Sequence, residues 1–370
     1  RFRVPVLPAT LGGLVLIALT LVAGHHYPLL LSVKEWKLLL LGYIYVASVT
    51  PVWILLQPRD FLNSFLLYAL LVAGVAGTLL VDPALHMKAW AGFKTDLGPL
   101  FPILFVTVAC GALSGFHSLV ASGTTAKQLD SEAHARPIAM GAMLIESLLA
   151  VVALVTAAML VPGKYDSQIH EGAVHVFASG IARFVDAAGG SFAFGLTFAS
   201  VAVAEFALTS LDTATRIARF AFQELLQVPE EAGGSVASLR RLFSRNRFLA
   251  TTVTVFFGGW LALSGGERTI WPIFGAANQL LAALAFLAVF VWMAHRGKKA
   301  GFLAVPTVFM FLVTLGALGW EAVHFVEKKN WILAVLAVFL AVLAVVLAFD
   351  AFRVLSRSRA EGASPAPEPE

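Results

Sequence analysis

The chain alternates between long hydrophobic runs and short polar stretches along most of its 370 residues. A run of about twenty apolar residues is long enough to cross the hydrocarbon core of a bilayer as a helix. The pattern therefore predicts an all-α polytopic membrane protein with about ten transmembrane helices. They are expected at about 5–24, 38–57, 61–81, 100–122, 138–161, 190–212, 248–264, 271–294, 301–320 and 331–351.

Three connections between these runs carry further information. The sequence Q-P-R-D at 57–60 predicts a tight turn, with Pro58 opening the next element. The sixth run continues as helix-forming sequence, so its helix is expected to leave the membrane near Arg216. The stretch 162–189 is long enough for an interfacial or re-entrant helix.

Composition strengthens the membrane prediction and excludes several functions. Hydrophobic residues make up 59% of the chain and charged residues 13%, whereas soluble proteins average roughly 45–50% and about 25%. The single cysteine, Cys110, excludes a disulfide framework and a cysteine-cluster metal site. Zinc, phosphate-loop and serine hydrolase motifs are also absent from the sequence, so we expect no enzyme activity, metal or cofactor.

The formal net charge of +4 does not indicate a nucleic acid partner, because the basic residues lie in short loops between apolar runs. Loops on one side of the predicted bundle carry more basic residues than those on the other, and one of them holds five arginines between 219 and 247. Basic loops favour the cytoplasmic side of a membrane. We therefore expect ten spans with both termini in the cytoplasm.

Small and polar residues interrupt the fourth apolar run between Gly111 and Thr125. Gly111 and Gly115 are spaced to let another helix approach closely, so a tight helix crossing is one interpretation. The other is a helix that breaks near Ser114–Gly115 or at 122–125, freeing backbone groups for a substrate or ion. The candidate residues for that site are Ser114, Gly115, His117, Ser118, Ser122 and Thr124. His117 can relay a proton, or be a hydrogen-bonded packing residue.

Carboxyl groups within the apolar runs are candidates for coupling transport to an ion, because charge in a membrane is costly unless it is used or paired. Glu146 lies eight residues into the fifth run and is either a proton carrier or a residue that reaches the inner headgroups. Glu205, Thr209, Asp212 and Arg216 share one helical face. With Thr213, this face offers oxygen ligands for an ion, or it is the solvated end of a helix.

Two amide side chains, Asn278 and Gln279, lie within two turns of Pro272 in the eighth run. Such groups in membrane helices form inter-helix hydrogen bonds worth about 1 kcal/mol. Structural hydrogen bonding and ligand binding are both compatible with this position. We include Asn278 and Gln279 among the candidate substrate-binding residues.

Four long stretches closely resemble the carbon starvation protein CstA family: T-P-V-W-I-L-L-Q-P-R-D-F-L at 50–62, the sequence at 101–129 followed by 135–147, F-A-L-T-S-L-D-T-A-T-R-I-A-R-F at 206–220 and T-I-W-P-I-F-G-A-A-N-Q-L-L-A-A at 269–283. The resemblance implies a carrier of the bacterial inner membrane with a LeuT-like inverted-repeat bundle. It also implies uptake of peptides or pyruvate during nutrient limitation, with proton coupling in the pyruvate carriers.

Family members are usually much longer and carry further N-terminal membrane helices, whereas this chain starts at Arg1. The resemblance therefore predicts either a C-terminal portion or a shortened member with a complementary subunit. We expect one transporter domain at 1–359, with the helices at 248–351 as a C-terminal subdomain. The Pro-rich acidic tail at 360–370 is expected to be disordered.

Together these observations predict a secondary active transporter that imports pyruvate or a short peptide with a proton. Glu146, Glu205, Thr209, Asp212 and Thr213 are its expected coupling residues. A membrane sensor or assembly subunit that shares the fold is the alternative. A channel is a third, although scattered single carboxyls suit a carrier better than a ring-lined pore.

Overall fold

The computed structural model describes residues 5–90, 92–95, 98–108, 111, 113–229 and 234–360, without the side chains of 267–269, 272 and 357–360. Within these residues the regular secondary structure is helical apart from a short antiparallel pair, β1 (Lys94–Thr95) and β2 (Gly98–Pro99). The helices are α1 (Val6–His26), α2 (Val33–Val49), α3 (Leu56–Val81), α4 (Phe105–Val108), α5 (Gly115–Gly123), α6 (Ala135–Ala158), α7 (Pro162–Glu171), α8 (Ala173–Ala187), α9 (Phe192–Leu225), α10 (Ser235–Arg245), α11 (Arg247–Ser264), α12 (Glu267–His295), α13 (Gly301–Glu327) and α14 (Trp331–Ala360).

Eight helices in the described part of the chain are long and apolar enough to cross a membrane: α1, α3, α6, α9, α11, α12, α13 and α14. This confirms the prediction of an all-α polytopic membrane protein.

The two other predicted spans differ from expectation. The span at 38–57 corresponds to α2, which has 17 residues and ends at Val49. Thr50 adopts an extended backbone before Pro51, as the proline ring requires.

The predicted turn at 57–60 is wrong. Gln57, Pro58, Arg59 and Asp60 all lie in the first part of α3, which begins at Leu56, and the turn lies upstream at 52–55. Pro58 is tolerated there because the first N–H groups of a helix have no partner within the helix. This shift places Arg59 on a helix and not in a loop.

The fourth predicted span, 100–122, is a broken helix. A π-helical turn at Leu100–Leu104 leads into α4, which ends at Val108, and α5 starts only at Gly115. Ser114 precedes α5 with an extended backbone at φ −127° and ψ 131°. The predicted break at Ser114–Gly115 is confirmed, and the helix also ends within the second predicted break at 122–125, because α5 stops at Gly123 and Thr124 is not helical.

The sixth predicted helix does continue beyond the apolar run, since α9 extends unbroken from Phe192 to Leu225. The stretch 162–189 forms two helices, α7 and α8. In α8 the residues from Val176 to Phe184 are largely buried, so this helix supplies core and not only a surface element.

The described chain divides into two compact units. The first comprises Arg1–Lys88 and Leu144–Ser264. Its core is formed by α3, α6, α8 and α9, with Leu70, Val152 and Ile181 at the centre. Gly77 makes the contact between α3 and α8 close, because a Cβ at this position would overlap the ring of Phe184.

The second unit comprises Ala89–Met143 and Gly265–Glu370. Here α12, α13 and α14 pack together, and Ile103 and Val106 from the broken segment join their core. This division differs from the predicted subdomain at 248–351, because α11 packs on α2 and α9 in the first unit. The predicted disordered tail lies outside the described residues beyond Ala360.

Candidate functional site

The first unit contains a cavity of about 1090 Å³ among α1, α2, α3 and α9. Its walls are mainly apolar, with Leu21, Leu62 and Leu66 among the lining residues. Its polar lining includes Thr20, Tyr43, Arg59, Asn63, Thr197 and Glu205. A cavity of this size with a few polar side chains has the character of a small-molecule site.

Arg59 is the most highly connected of these polar residues. Its Nη1 donates to the hydroxyl of Tyr43 and to Oδ2 of Asp212. Its Nη2 donates to Oδ1 of Asp60 at 2.9 Å and to the hydroxyl of Thr209 at 3.3 Å. The guanidinium is therefore fixed by groups from three helices, while part of it still faces the cavity.

Asp212 contacts the guanidinium of Arg59 and is completely buried. Its Oδ2 accepts from Arg59 and from the Tyr43 hydroxyl, the latter at 2.9 Å. Its Oδ1 has no hydrogen-bond partner among the described atoms. Asp212 is therefore a counter-ion that orients Arg59 and does not itself line the cavity.

Glu205 lines the cavity two turns before Asp212 on α9 and is partly exposed. The Nδ2 of Asn63 donates to its Oε2 at 3.3 Å. The Thr209 hydroxyl lies 3.1 Å from Oδ1 of Asp60 on α3 and 3.1 Å from the backbone oxygen of Glu205, and it can donate its one proton to either. Thr209 and Asp212 thus both contact Arg59, whereas the Glu205 carboxylate binds Asn63 in the wall of the same cavity.

Two further arginines on α9 bind the carboxyl end of α2. Arg216 donates to the carbonyl oxygens of Ala47 and Thr50 at 2.6 and 2.8 Å, and Arg219 donates to that of Ser48 at 2.9 Å. Both arginines are buried. The last carbonyls of a helix lack partners within the helix and carry partial negative charge, so these guanidinium groups stabilise that end. The interpretation of this face as a solvated helix end is wrong for the part up to Arg219.

Thr213 and Glu146 take no part in the hydrogen bonds of this network. Thr213 is buried on α9. Glu146 lies half-buried on α6, and no hydrogen bond in the described structure joins its carboxylate to Glu205 or Asp212. Both remain predictions as coupling residues.

In the second unit, the side chain of Asn278 on α12 caps the start of α5. Its Oδ1 accepts from the backbone N–H of Phe116 at 2.8 Å and from the Ser114 hydroxyl at 3.2 Å. Gly115 is the point of closest approach, because a Cβ there would collide with the backbone of Asn278 and Ala282. Gly111 has open space around it instead. The broken helix and the tight crossing are therefore both present.

The other candidates in or next to α5 bond within that helix, face outward or lack a partner in the described structure. Ser118 donates to the carbonyl of Gly115 at 2.6 Å, and Ser122 donates to that of Ser118 at 3.0 Å. His117 is exposed, and the Thr124 hydroxyl is buried without a partner in the described structure. These residues belong to the second unit, whereas Arg59 and Glu205 belong to the first.

Gln279 and Glu321 are buried in the second unit with unsatisfied polar atoms. Gln279 is completely buried, and neither its amide oxygen nor its amide nitrogen finds a partner among the described atoms. Glu321 is 4% exposed, and its Oε2 also lacks a hydrogen-bond partner among the described atoms. The sequence analysis missed Glu321 because it follows directly after the ninth predicted span.

The sequence analysis also missed Tyr43, Arg59, Asp60 and Asn63. Arg59 falls within the turn predicted at 57–60, so the sequence analysis gave it no role in a site. The available signal was the adjacent pair Arg59-Asp60 directly after Pro58, close to the start of an apolar run. Asn63 was a second signal, since an amide inside an apolar run requires a partner.

Comparisons with a family model and with individual proteins both point to one family. The chain matches the family described as carbon starvation protein CstA over residues 2–170 and 166–317. It is 34% identical to the peptide transporter CstA of Escherichia coli over 82% of this chain and 52% of that protein. It is 32% identical to the peptide transporter CstA of Helicobacter pylori strain 26695, over 84% and 54%.

A third relative is the pyruvate/proton symporter BtsT of Escherichia coli, which is 31% identical over 76% of this chain and 50% of its own length. The chain thus spans about half the length of the curated relatives it matches. No solved structure matches it.

Proposed function

The chain belongs to the carbon starvation protein CstA family, and from that membership we propose that it acts in a secondary active transporter. The transporter imports a small carboxylate such as pyruvate, or a short peptide, together with a proton. Its relatives are named as peptide transporters and as a pyruvate/proton symporter, which supports this class over an enzyme. The substrate is bound in the cavity of the first unit.

The observation that carries the proposal is the position of Arg59 in the cavity wall. Pyruvate and peptides share a carboxylate, and a guanidinium is the side chain best suited to bind one through paired hydrogen bonds. The Nε and Nη2 groups of Arg59 donate to the half-exposed Asp60, and a substrate carboxylate would replace Asp60 at these two donors. Tyr43 and Asp212 hold the Arg59 side chain in place. The binding group is therefore oriented before the substrate arrives, which lowers the entropic cost of binding.

The shape of the cavity suits an oligopeptide as well as a small acid. It extends along α9 from Thr197 to Leu208, a distance of about 17 Å at the helical rise of 1.5 Å per residue. Apolar side chains line most of this length. Arg59 would bind the carboxylate at one end, and the apolar wall would accept the side chains of a peptide.

Glu205 is the proton carrier in this proposal. Arg59 already pairs with two carboxyl groups, those of Asp60 and Asp212, while Arg216 and Arg219 bind carbonyl oxygens of α2. An arriving carboxylate therefore adds a negative charge beyond those that Arg59 already compensates, within a membrane protein, where charge is expensive. A proton on Glu205 restores the balance, and proton and substrate therefore enter together.

We further propose that the protein resides in the bacterial cytoplasmic membrane with both termini in the cytoplasm. The eight apolar helices and the family membership support a multi-pass membrane protein. The arginine-rich segment from Arg240 to Arg247 joins α9 to α11 and would face the cytoplasm. The LeuT-like arrangement of helices is part of the same proposal.

The test is uptake of labelled pyruvate and labelled dipeptides into proteoliposomes containing the purified protein. We expect saturable accumulation that requires an inward proton gradient and is abolished by a protonophore. Empty liposomes and liposomes containing R59M/D212L, which lacks the guanidinium without leaving Asp212 unpaired, provide the controls. If neither substrate accumulates in protein that unfolds cooperatively, transport by this chain is wrong and a membrane sensor or assembly subunit becomes the better explanation.

A further inference from the structure

α13 buries one side of its length, and polar residues recur along that side. Its buried residues between Leu303 and Phe325 are mostly three or four positions apart, which defines a single face. Thr307, Thr314 and Glu321 are the polar members, and they follow one another at intervals of seven residues, or two helical turns. This face packs against α12 and α14 in the core of the second unit. A row of polar side chains therefore runs through an apolar helix interface.

Hydrogen bonding differs along this polar row. The Thr307 hydroxyl donates to the carbonyl oxygen of Leu303 at 2.6 Å, as threonines within helices commonly do. The Thr314 hydroxyl and Oε2 of Glu321 are buried and have no partner among the described atoms. The unmet hydrogen bonds are thus concentrated at the Thr314–Glu321 end of the row.

α12 contributes a third side chain with unmet hydrogen bonds, that of Gln279. At 1.5 Å per residue, Gln279 lies about 24 Å from the end of α12, and Thr314 and Glu321 lie about 20 Å and about 30 Å from the start of α13. The short connection at 296–300 makes the two helices antiparallel neighbours. Gln279 therefore lies between the levels of Thr314 and Glu321 along the interface.

None of the described side chains provides a cation for Glu321. The segment 98–108 also packs against α13 and contains no titratable residue. On α13 itself, His324 stacks on Trp320 and lies 3.8 Å from the carboxylate of Glu327. Arg268, in the first turn of α12, lies about 10 Å beyond the level of Glu321 by the same count. The remaining titratable residues on or next to these helices lie toward the helix ends: Glu267, His295, Lys328, Lys329, Asp350, Arg353 and Arg357.

An ionised Glu321 would be a buried charge without a cation, which is a costly state for a side chain in a membrane protein. Protonation removes the charge and gives the carboxyl group an O–H donor. Gln279 and Thr314 make this section of the interface polar, so the added O–H does not enter a purely apolar core. We propose that Glu321 binds a proton in the folded protein and forms a proton site of the second unit.

This site is additional to Glu205, the proton carrier of the proposed transport cycle in the first unit. Protonation of Glu321 follows from the packing around α13 and does not require that the chain transports a substrate. A failed uptake assay would leave the Glu321 site standing, and an ionised Glu321 would leave the role of Glu205 unchanged.

Infrared difference spectroscopy on the purified chain in detergent at neutral pH measures the protonation state of Glu321. The spectrum of the parent minus that of E321Q should contain the carbonyl stretch of a protonated carboxylic acid. Glu327 is 70% exposed on the same helix and provides the matched control, since the parent minus E327Q should contain only the bands of an ionised carboxylate. Carboxylate bands alone in the E321Q difference would show that Glu321 is ionised and would overturn the proposal.

Chemical labelling of the unmodified chain keeps the proposal testable if E321Q does not fold. The apolar reagent dicyclohexylcarbodiimide adds to protonated carboxyl groups and leaves a stable acylurea. Peptide mass mapping should find this adduct on Glu321 and not on Asp212, which is also buried but is paired with Arg59. A Glu321 that carries no adduct would contradict the proposed proton site.

Discussion

Arg59 and Asp212 lie 153 positions apart in the chain and form an ion pair whose acidic partner has no exposed surface. Tyr43 donates to the same carboxylate oxygen, so α2, α3 and α9 meet at this point. The other side of the Arg59 guanidinium contacts Asp60 and Thr209. The pair therefore links the packing of three helices to the polar wall of the cavity.

Removing the guanidinium should destabilise the protein strongly. In R59A, Asp212 remains buried without its cation, and breaking such a pair typically costs about 3–5 kcal/mol. In R59M/D212L both charges are removed, and most of that loss should be recovered. Thermal unfolding in one detergent compares the two variants, with R296Q as the exposed-arginine control. A double variant no more stable than R59A would show that the ion pair does not account for the loss.

Glu205 and Glu146 should behave differently when their charges are removed. E205Q retains the hydrogen bond with Asn63 but cannot release a proton, so gradient-driven uptake should be lost while exchange of labelled for unlabelled substrate continues. E146Q, on α6, should retain gradient-driven uptake and its pH dependence, because no hydrogen bond connects Glu146 with the cavity network. The measurement is uptake with and without a proton gradient. The reverse pattern would transfer the coupling role to Glu146.

Local features of the sequence were sufficient to predict most helices. Apolar runs located α1, α3, α6, α9 and the four C-terminal spans, because each helix must be apolar over the thickness of the bilayer. The break before α5 was also predicted, since Ser114 and Gly115 weaken a helix within a run that otherwise favours one. The face shared by Glu205, Thr209 and Asp212 followed from the spacing along one helix.

The contacts that define the cavity could not be predicted in this way. Arg216 shares a helical face with Asp212, yet Arg216 binds carbonyl oxygens of α2, and the cation that pairs with the Asp212 carboxylate is Arg59 on α3. Which cation reaches a given anion depends on how α3 and α9 pack, and periodicity carries no information about that. Asn278 likewise caps a helix that starts 163 residues earlier in the chain.

Gly115 should be intolerant of a methyl group. In G115A the new Cβ would press on the backbone of Asn278 and Ala282, which cannot rotate away, and overpacking of this kind costs about 1–3 kcal/mol. G111A adds the same methyl group where nothing lies within 4 Å and should change stability little. Thermal unfolding of both variants separates the effect of crowding from the general effect of replacing glycine. Equal losses in both would argue against a close crossing of α5 and α12.

Gln279 and Asn278 are adjacent on α12 but should respond in opposite directions to apolar replacement. Q279M removes a buried amide that has no hydrogen-bond partner among the described residues, which should stabilise the protein by about 1–2 kcal/mol. N278L removes the acceptor for the Phe116 N–H and should destabilise by about 1 kcal/mol, as the loss of a helix cap does. Unfolding temperatures measure both changes, and uptake assays with Q279M show whether the amide also serves transport. A more stable Q279M with impaired uptake would mean that Gln279 is retained for substrate or ion binding. A less stable Q279M would contradict the conclusion that the Gln279 amide makes no hydrogen bond with the described residues.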